Sequence, residues 1–159
     1  VYGGAAACPW GWVRLIDVSE PRRPRLAGEL RADRNRIESC NEAPRSTAYS
    51  YSSHNPTVAA GIALVAWHGA GLIAASLSGG RPGSPATFLP EPVRRVATED
   101  PRLTAGPVKV AIWSTPIVSA GLIYVVDVRN GLYVLRYEGP GADMLTRTIY
   151  REGNSNRVV

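Results

Sequence analysis

Residues 54–58 (HNPTV) return as residues 114–118 (STPIV), and residues 61–65 (GIALV) return as residues 121–125 (GLIYV). Gly71-Leu72 returns as Gly131-Leu132, and all three matches share one offset of about 60 positions. A shorter upstream copy, residues 13–19 (VRLIDVS), matches residues 72–78 (LIAASLS). Self-similarity at a fixed period restricts a chain to architectures that stack one supersecondary unit on its own copies, such as propellers and solenoids. It constrains chemistry far less, because one repeat architecture hosts many functions.

The unit reads as short strands separated by tight turns. Gly and Pro number 16 and 13, a heavy load of turn residues, and the strands between them are apolar. A hydrophobic content of 45% with only 19% charged residues excludes a disordered chain. The pattern predicts strands over residues 13–18, 25–30, 55–59, 62–67, 72–77, 86–89, 116–119, 122–128 and 132–137, with residues 145–150 as a further one. Residues 62–67 (IALVAW) are almost continuously apolar, as in a strand buried on both faces. Ala60-Gly61 fits a two-residue hairpin turn, and Arg129-Asn130-Gly131 contains the Asn-Gly turn signal. No segment carries a convincing amphipathic-helix pattern.

The expected fold class is therefore all-β, built of β-propeller blades of four antiparallel strands: one inner, two central and one outer. Residues 8–31 form part of a blade, 54–92 and 110–150 are blades, 32–53 and 93–109 are polar inserts, and 151–159 is a tail. About two blades and part of a third fall short of the four to eight that close a propeller. The expectation is a fragment of a longer protein or a ring completed by other chains, with the start at Val1 read as a mature or truncated end.

Residues 13–30 (VRLIDVSEPRRPRLAGEL), in which an apolar strand runs into Asp-Val-Ser-x-Pro-x-x-Pro, resemble the repeat of the LVIVD-repeat propeller proteins of bacteria and archaea. Residues 122–137 (LIYVVDVRNGLYVLRY) and 54–72 resemble closing repeats of the same family. The resemblance covers roughly residues 8–140. It implies a β-propeller, an exported or cell-surface location and no general catalytic mechanism. The Asp of the first copy, Asp17, becomes Ser76 and then Arg136 in the later copies, so that position carries no shared ligand.

Charge and cysteines narrow the partners. The net charge of +5 is spread among mixed signs, and only Arg22-Arg23-Pro24-Arg25 and Arg94-Arg95 are dense, which argues against nucleic-acid binding. No apolar run is long enough to span a bilayer. Cys8 and Cys40 lack zinc-site spacing and are expected to form a disulfide closing a loop of about 33 residues, worth about 3–4 kcal/mol and pointing to an oxidising compartment.

His54 and His68 are the only histidines. With a two-residue turn at Ala60-Gly61 they fall on opposite faces of one hairpin, and only a bulge or another loop length would unite them. His54 and Asn55 are placed at the mouth of a channel, with His54 and His68 as candidate copper or zinc ligands. Glu99-Asp100 and Asp33, in the inserts, are candidate Ca²⁺ ligands without EF-hand spacing. Asp17 and Asp127 are expected to accept from turn amides. Trp10, Trp12, Trp67, Trp113, Tyr124, Tyr133 and Tyr137 are expected in blade-to-blade core. No nucleophile elbow or catalytic triad is spaced in the chain. The expected function is a non-catalytic binding or assembly scaffold without a cofactor, partnered by other blades or neighbouring chains. The alternative is a metal-binding or enzymatic propeller with a channel site including His54.

Overall fold

The computed structural model describes residues 10–41, 51–99, 108–150 and 156–158. It is all-β, with every strand in an antiparallel sheet. A first sheet pairs β1 (Val13–Asp17) with β2 (Arg25–Leu30). A central sheet runs in order β3 (Pro56–Ala59), β4 (Ile62–Ala66), β5 (Leu72–Ser76), β6 (Ala86–Phe88). A third sheet holds β7 (Ile117–Ser119), β8 (Leu122–Asp127) and β9 (Gly131–Arg136). A C-terminal hairpin pairs β10 (Thr148–Tyr150) with β11 (Asn156–Val158) and lies beside β7 and β3.

The repeat is visible in the register. Leu64 faces Ala74 and Ala66 faces Leu72 in the central sheet, as Tyr124 faces Val134 and Val126 faces Leu132 in the third. Both inner hairpins turn on an Ala-Gly pair with left-handed backbone: φ is 51 and 74 at Ala60-Gly61, and 49 and 77 at Ala120-Gly121. Positive φ at both central residues gives the turn whose twist matches its strands. Gly71 is a different requirement. At φ +89, a Cβ there would sit 2.2 Å from the Phe88 carbonyl oxygen, so only glycine lets β6 approach β5.

The central sheet is buried on both faces. All five residues of β4 are buried, as its unbroken apolar run predicts. Alternation sends Ile62, Leu64, Ala66, Leu72 and Ala74 into one core with Val118, Ile123 and Val125 of the third sheet. It sends Ala63, Val65, Trp67, Ile73 and Ala75 into a second core with Trp10, Leu30 and Tyr51. The two cores are thus the two sides of one four-stranded sheet. At about 25 cal/mol per Å² of apolar area removed from water, that double burial is the main source of the fold's stability.

Residues 110–113 thread between the central and third sheets. His68 and Ile112 exchange both backbone hydrogen bonds at 3.1 Å, and Ile112 also bridges Asp127. Three expectations are corrected. The segment expected as a strand over 145–150 begins with the end of a one-turn helix, α1 (Ala142–Leu145), and only Thr148–Tyr150 is extended. Leu145 explains this: the turn drops its side chain, fully buried, into the core between the central and third sheets. Second, the third sheet has three strands, with no outer strand among the described residues. Third, residues 156–158, expected to lack a pattern, form β11. No helix of the described residues is long and apolar enough to cross a membrane.

Candidate functional site

The histidines meet at the far end of the β3–β4 hairpin. Ala59 pairs with Ile62, so simple alternation would carry His54 and His68 to opposite faces. The backbone departs from that alternation. The His54 N–H donates to the Ala66 carbonyl at 2.9 Å, while the Ala66 N–H donates to the Asn55 carbonyl at 3.1 Å. Two residues therefore oppose one, which is a bulge, and it re-aims His54. On the other strand His68 leaves the ladder with φ 38. The imidazoles come into contact, ring centroids 4.7 Å apart and tilted by 42°. Their expected separation onto opposite faces is overturned by this bulge.

Trp113 completes the cluster, 4.6 Å from His54 and 5.1 Å from His68 between ring centroids. Its carbonyl lies 3.0 Å from His54 Nδ1 and accepts from Asn55 Nδ2 at 2.8 Å. A carbonyl only accepts, so His54 carries a proton on Nδ1. His68 is buried, and its pKa is pushed down to about 3, first by loss of hydration and second by the neighbouring His54, against a hydrogen bond with the Ser52 backbone. His68 is therefore neutral at pH 7. The cluster is a packed aromatic junction that ties the central sheet to the strand entering the third. Two imidazoles fall one short of the three protein ligands of a catalytic zinc centre. Among the described residues no group of three or more His, Cys, Asp or Glu side chains is gathered as metal ligands.

The carboxylates singled out in the sequence are engaged elsewhere. Glu99 accepts from Arg129 Nε at 2.7 Å and forms an ion pair with Lys109 Nζ at 3.1 Å, and these hydrogen bonds, Arg129 first, lower its pKa. Asp33 pairs with Arg36 at 3.0 Å, and Asp100 lies outside the described residues. Asp17 accepts from the Ser19 amide at 2.9 Å, and Asp127 Oδ1 accepts from the amides of Arg129 and Asn130 at 2.8 Å each. Both cap turns, as their positions predict. Cys40 lies on the single-turn 3₁₀ helix Glu38–Asn41, and Cys8 lies outside the described residues.

One polar hub escaped the sequence reading. The Arg129 side chain is only 5% exposed, and besides Glu99 it donates from Nη1 to the Val93 carbonyl at 2.7 Å. Asn130 accepts from the Val93 amide at 2.9 Å and donates to the Lys109 carbonyl at 2.8 Å. The turn after β8 thus grips both ends of the second insert. The available signal was a lone arginine where the preceding copy has Gly69.

The two inserts converge. Arg34, Tyr51, Gly69, Pro90, Pro92 and Lys109 line a cleft of about 280 Å³ beside the β4–β5 turn. Arg34 donates to the Tyr51 hydroxyl at 3.1 Å, and Trp67 Nε1 donates to the Tyr51 carbonyl at 2.7 Å. Asn35, fully buried, donates to the carbonyls of Trp10 and Gly11 at 3.1 and 3.0 Å. The wall from the first insert is thereby fixed to the core.

No family model, curated protein or solved structure matches the chain. Its function is read from its own geometry. The aromatic residues divide by place: Trp10 and Trp67 fill the core on one side of the central sheet with Trp12 packed at its margin. Tyr133 and Tyr137 pack at the margin of the other core. Trp113 belongs instead to the histidine cluster, and Tyr124 faces outward on the third sheet.

Proposed function

We propose that this chain is a segment of a β-propeller of an exported protein and acts as a non-catalytic binding or assembly scaffold. The observation that carries the reading is the convergence of the two polar inserts on one cleft at one end of the stacked sheets. Binding residues concentrate on loops positioned by a rigid framework, and here the framework is a sheet buried on both sides. The repeated register and the packing of the central sheet against sheets on both faces support radial stacking of blades. Export would carry with it the expected Cys8–Cys40 disulfide, and alkylation of two free thiols in native material would count against it.

One observation favours the metal-binding alternative: the contact between His54 and His68. The ring-on-ring packing, closed by Trp113, suits a structural junction better. Titration of the full chain with copper and zinc separates the two readings. The scaffold reading expects no stoichiometric uptake. One equivalent of metal bound tightly, and lost on His54→Ala, would overturn it.

A further inference from the structure

β9 forms an open edge where the central sheet has one more strand. In the central sheet β6 pairs with β5, Leu72 facing Phe88 and Ala74 facing Ala86. The repeat carries β5 onto β9, whose outer edge has no partner strand among the described residues. Register fixes which backbone groups lie there. The Val126 carbonyl accepts from Trp113 on the β7 side, so Val125 and Ile123 turn their backbone groups to Tyr133 and Leu135 of β9. The N–H and C=O groups of Leu132, Val134 and Arg136 therefore point out from the edge. At the matching positions Leu72 and Ala74 meet β6, and the Ser76 carbonyl accepts from the Gly83 N–H at 2.7 Å. After β9 the chain turns away through α1 to β10, which lies beside β7 at the opposite edge. Edge strands are ordinarily blunted by shortness, proline or lysine. β6 is three residues long between Pro85 and Pro90, whereas β9 runs six residues with neither proline nor lysine.

The same edge opens onto a pocket of about 310 Å³ between β6 and β9, lined by Leu72, Ala74, Phe88, Ile123, Leu135 and Tyr137. Tyr133 and Leu135 stay half-buried on that inner face, where their counterparts Ile73 and Ala75 are 2% and 0% exposed. We infer that this edge takes an extended segment of a different polypeptide chain as an antiparallel fourth strand. Backbone hydrogen bonds to Leu132, Val134 and Arg136 hold the segment, and its alternate side chains supply specificity. Its residue opposite Leu135 shares the inner face and drops an apolar side chain into the pocket. Its residue opposite Tyr133 is small, because the Tyr133 ring already meets Phe88 at 5.2 Å between centroids. Its residue opposite Arg136 is acidic. Arg136 is exposed with no carboxylate partner among the described residues, and opposite charges on facing positions attract. This edge adds a second contact surface to the scaffold reading. The added strand lies in the plane of the third sheet and leaves its outer face free for a further blade.

Random dodecapeptides displayed on phage and selected on the full chain, then measured free in solution by fluorescence anisotropy, test this. Enriched peptides should share an acidic residue followed directly by an apolar one, with dissociation constants of about 1–100 μM. Val134→Pro deletes an outward N–H without touching the ladder to β8, and should weaken binding at least about tenfold. Val134→Ala keeps that N–H and should stay within about threefold. Methylating the peptide amides one at a time should weaken binding at alternate residues only, a readout that needs no variant to fold. Arg136→Glu should exchange the acidic preference for a basic one. No enrichment, or enriched peptides indifferent both to Val134→Pro and to methylation, overturns the inference. So does self-association of the chain that Val134→Pro abolishes, since the occupant would then be a second copy. Each of these outcomes leaves the scaffold reading standing, since that reading fails on metal uptake at His54.

Discussion

The central and third sheets are the same object in two surroundings. They share strand register, the left-handed Ala-Gly turn and even the two-against-one arrangement at the entry of the inner strand, where the amides of Trp113 and Ser114 both reach the Val126 carbonyl at 3.0 and 3.4 Å. Their burial is reversed. Leu72 is 3% exposed and its counterpart Leu132 is 62% exposed. On the other face the order inverts: Val58 is 52% exposed and Val118 is fully buried. The third sheet has a four-stranded neighbour to lean on, whereas the central sheet meets only two strands of the first. Local sequence sets the strands, and the neighbour determines what each strand position is worth.

That pair of leucines gives the largest contrast. Leu72→Ala removes a buried side chain and leaves a cavity between two sheets, so we expect a loss of about 2–5 kcal/mol. Leu132→Ala alters an exposed side chain and should stay within about 0.5 kcal/mol for the monomer. Urea unfolding of both variants measures the difference. Equal losses would break the comparison, because the third sheet's open face would then be a core face.

The second contrast is one of pH. His68 has no titrating counterpart, since the repeat places Val128 there. Its folded pKa is depressed to about 3 from the ordinary value of 6.5. Above 6.5 neither state binds the proton and the full stability is present. As pH falls, the unfolded chain takes up a proton that the folded chain refuses, and stability is lost down to the folded pKa. Between pH 7 and pH 4 this amounts to roughly 3 kcal/mol, at 1.36 kcal/mol per unit. His68→Asn, a residue that tolerates left-handed backbone, should remove most of that slope. A wild-type profile no steeper than the variant's would show that His68 is hydrated.

Much of the fold was legible because it is local. The unbroken run of residues 62–66, the Ala-Gly and Asn-Gly turns and the Pro-rich breaks each act within a few residues, and the strands fall where they predict. What failed to show was long-range or hidden in backbone geometry. Periodicity sorts side chains to faces only while the ladder is regular, and one extra residue at His54-Asn55 reverses the assignment. Leu145 reads as a strand residue until the core that receives it is known. The Arg129 hub joins residues 36 positions apart, a distance at which turn signals are silent. Its chemistry, like that of His54 and His68, sits where the copies disagree.

The smallest contrast tests the likeness of the two sheets directly. Ala60 and Ala120 both hold left-handed φ, at 51 and 49, where a Cβ is unfavourable and asparagine is the preferred residue before glycine. Ala60→Asn and Ala120→Asn should each stabilise by about 0.5–1 kcal/mol by relieving that strain. The gains should match within about 0.3–0.5 kcal/mol and add in the double variant, since distant sites without shared partners are independent. Thermal or urea unfolding of the three variants measures this. A gain at residue 60 with none at residue 120 would mean that the third sheet's hairpin relaxes out of the repeat geometry when its outer face is uncovered. Equal gains would confine the difference between the sheets to what packs against them.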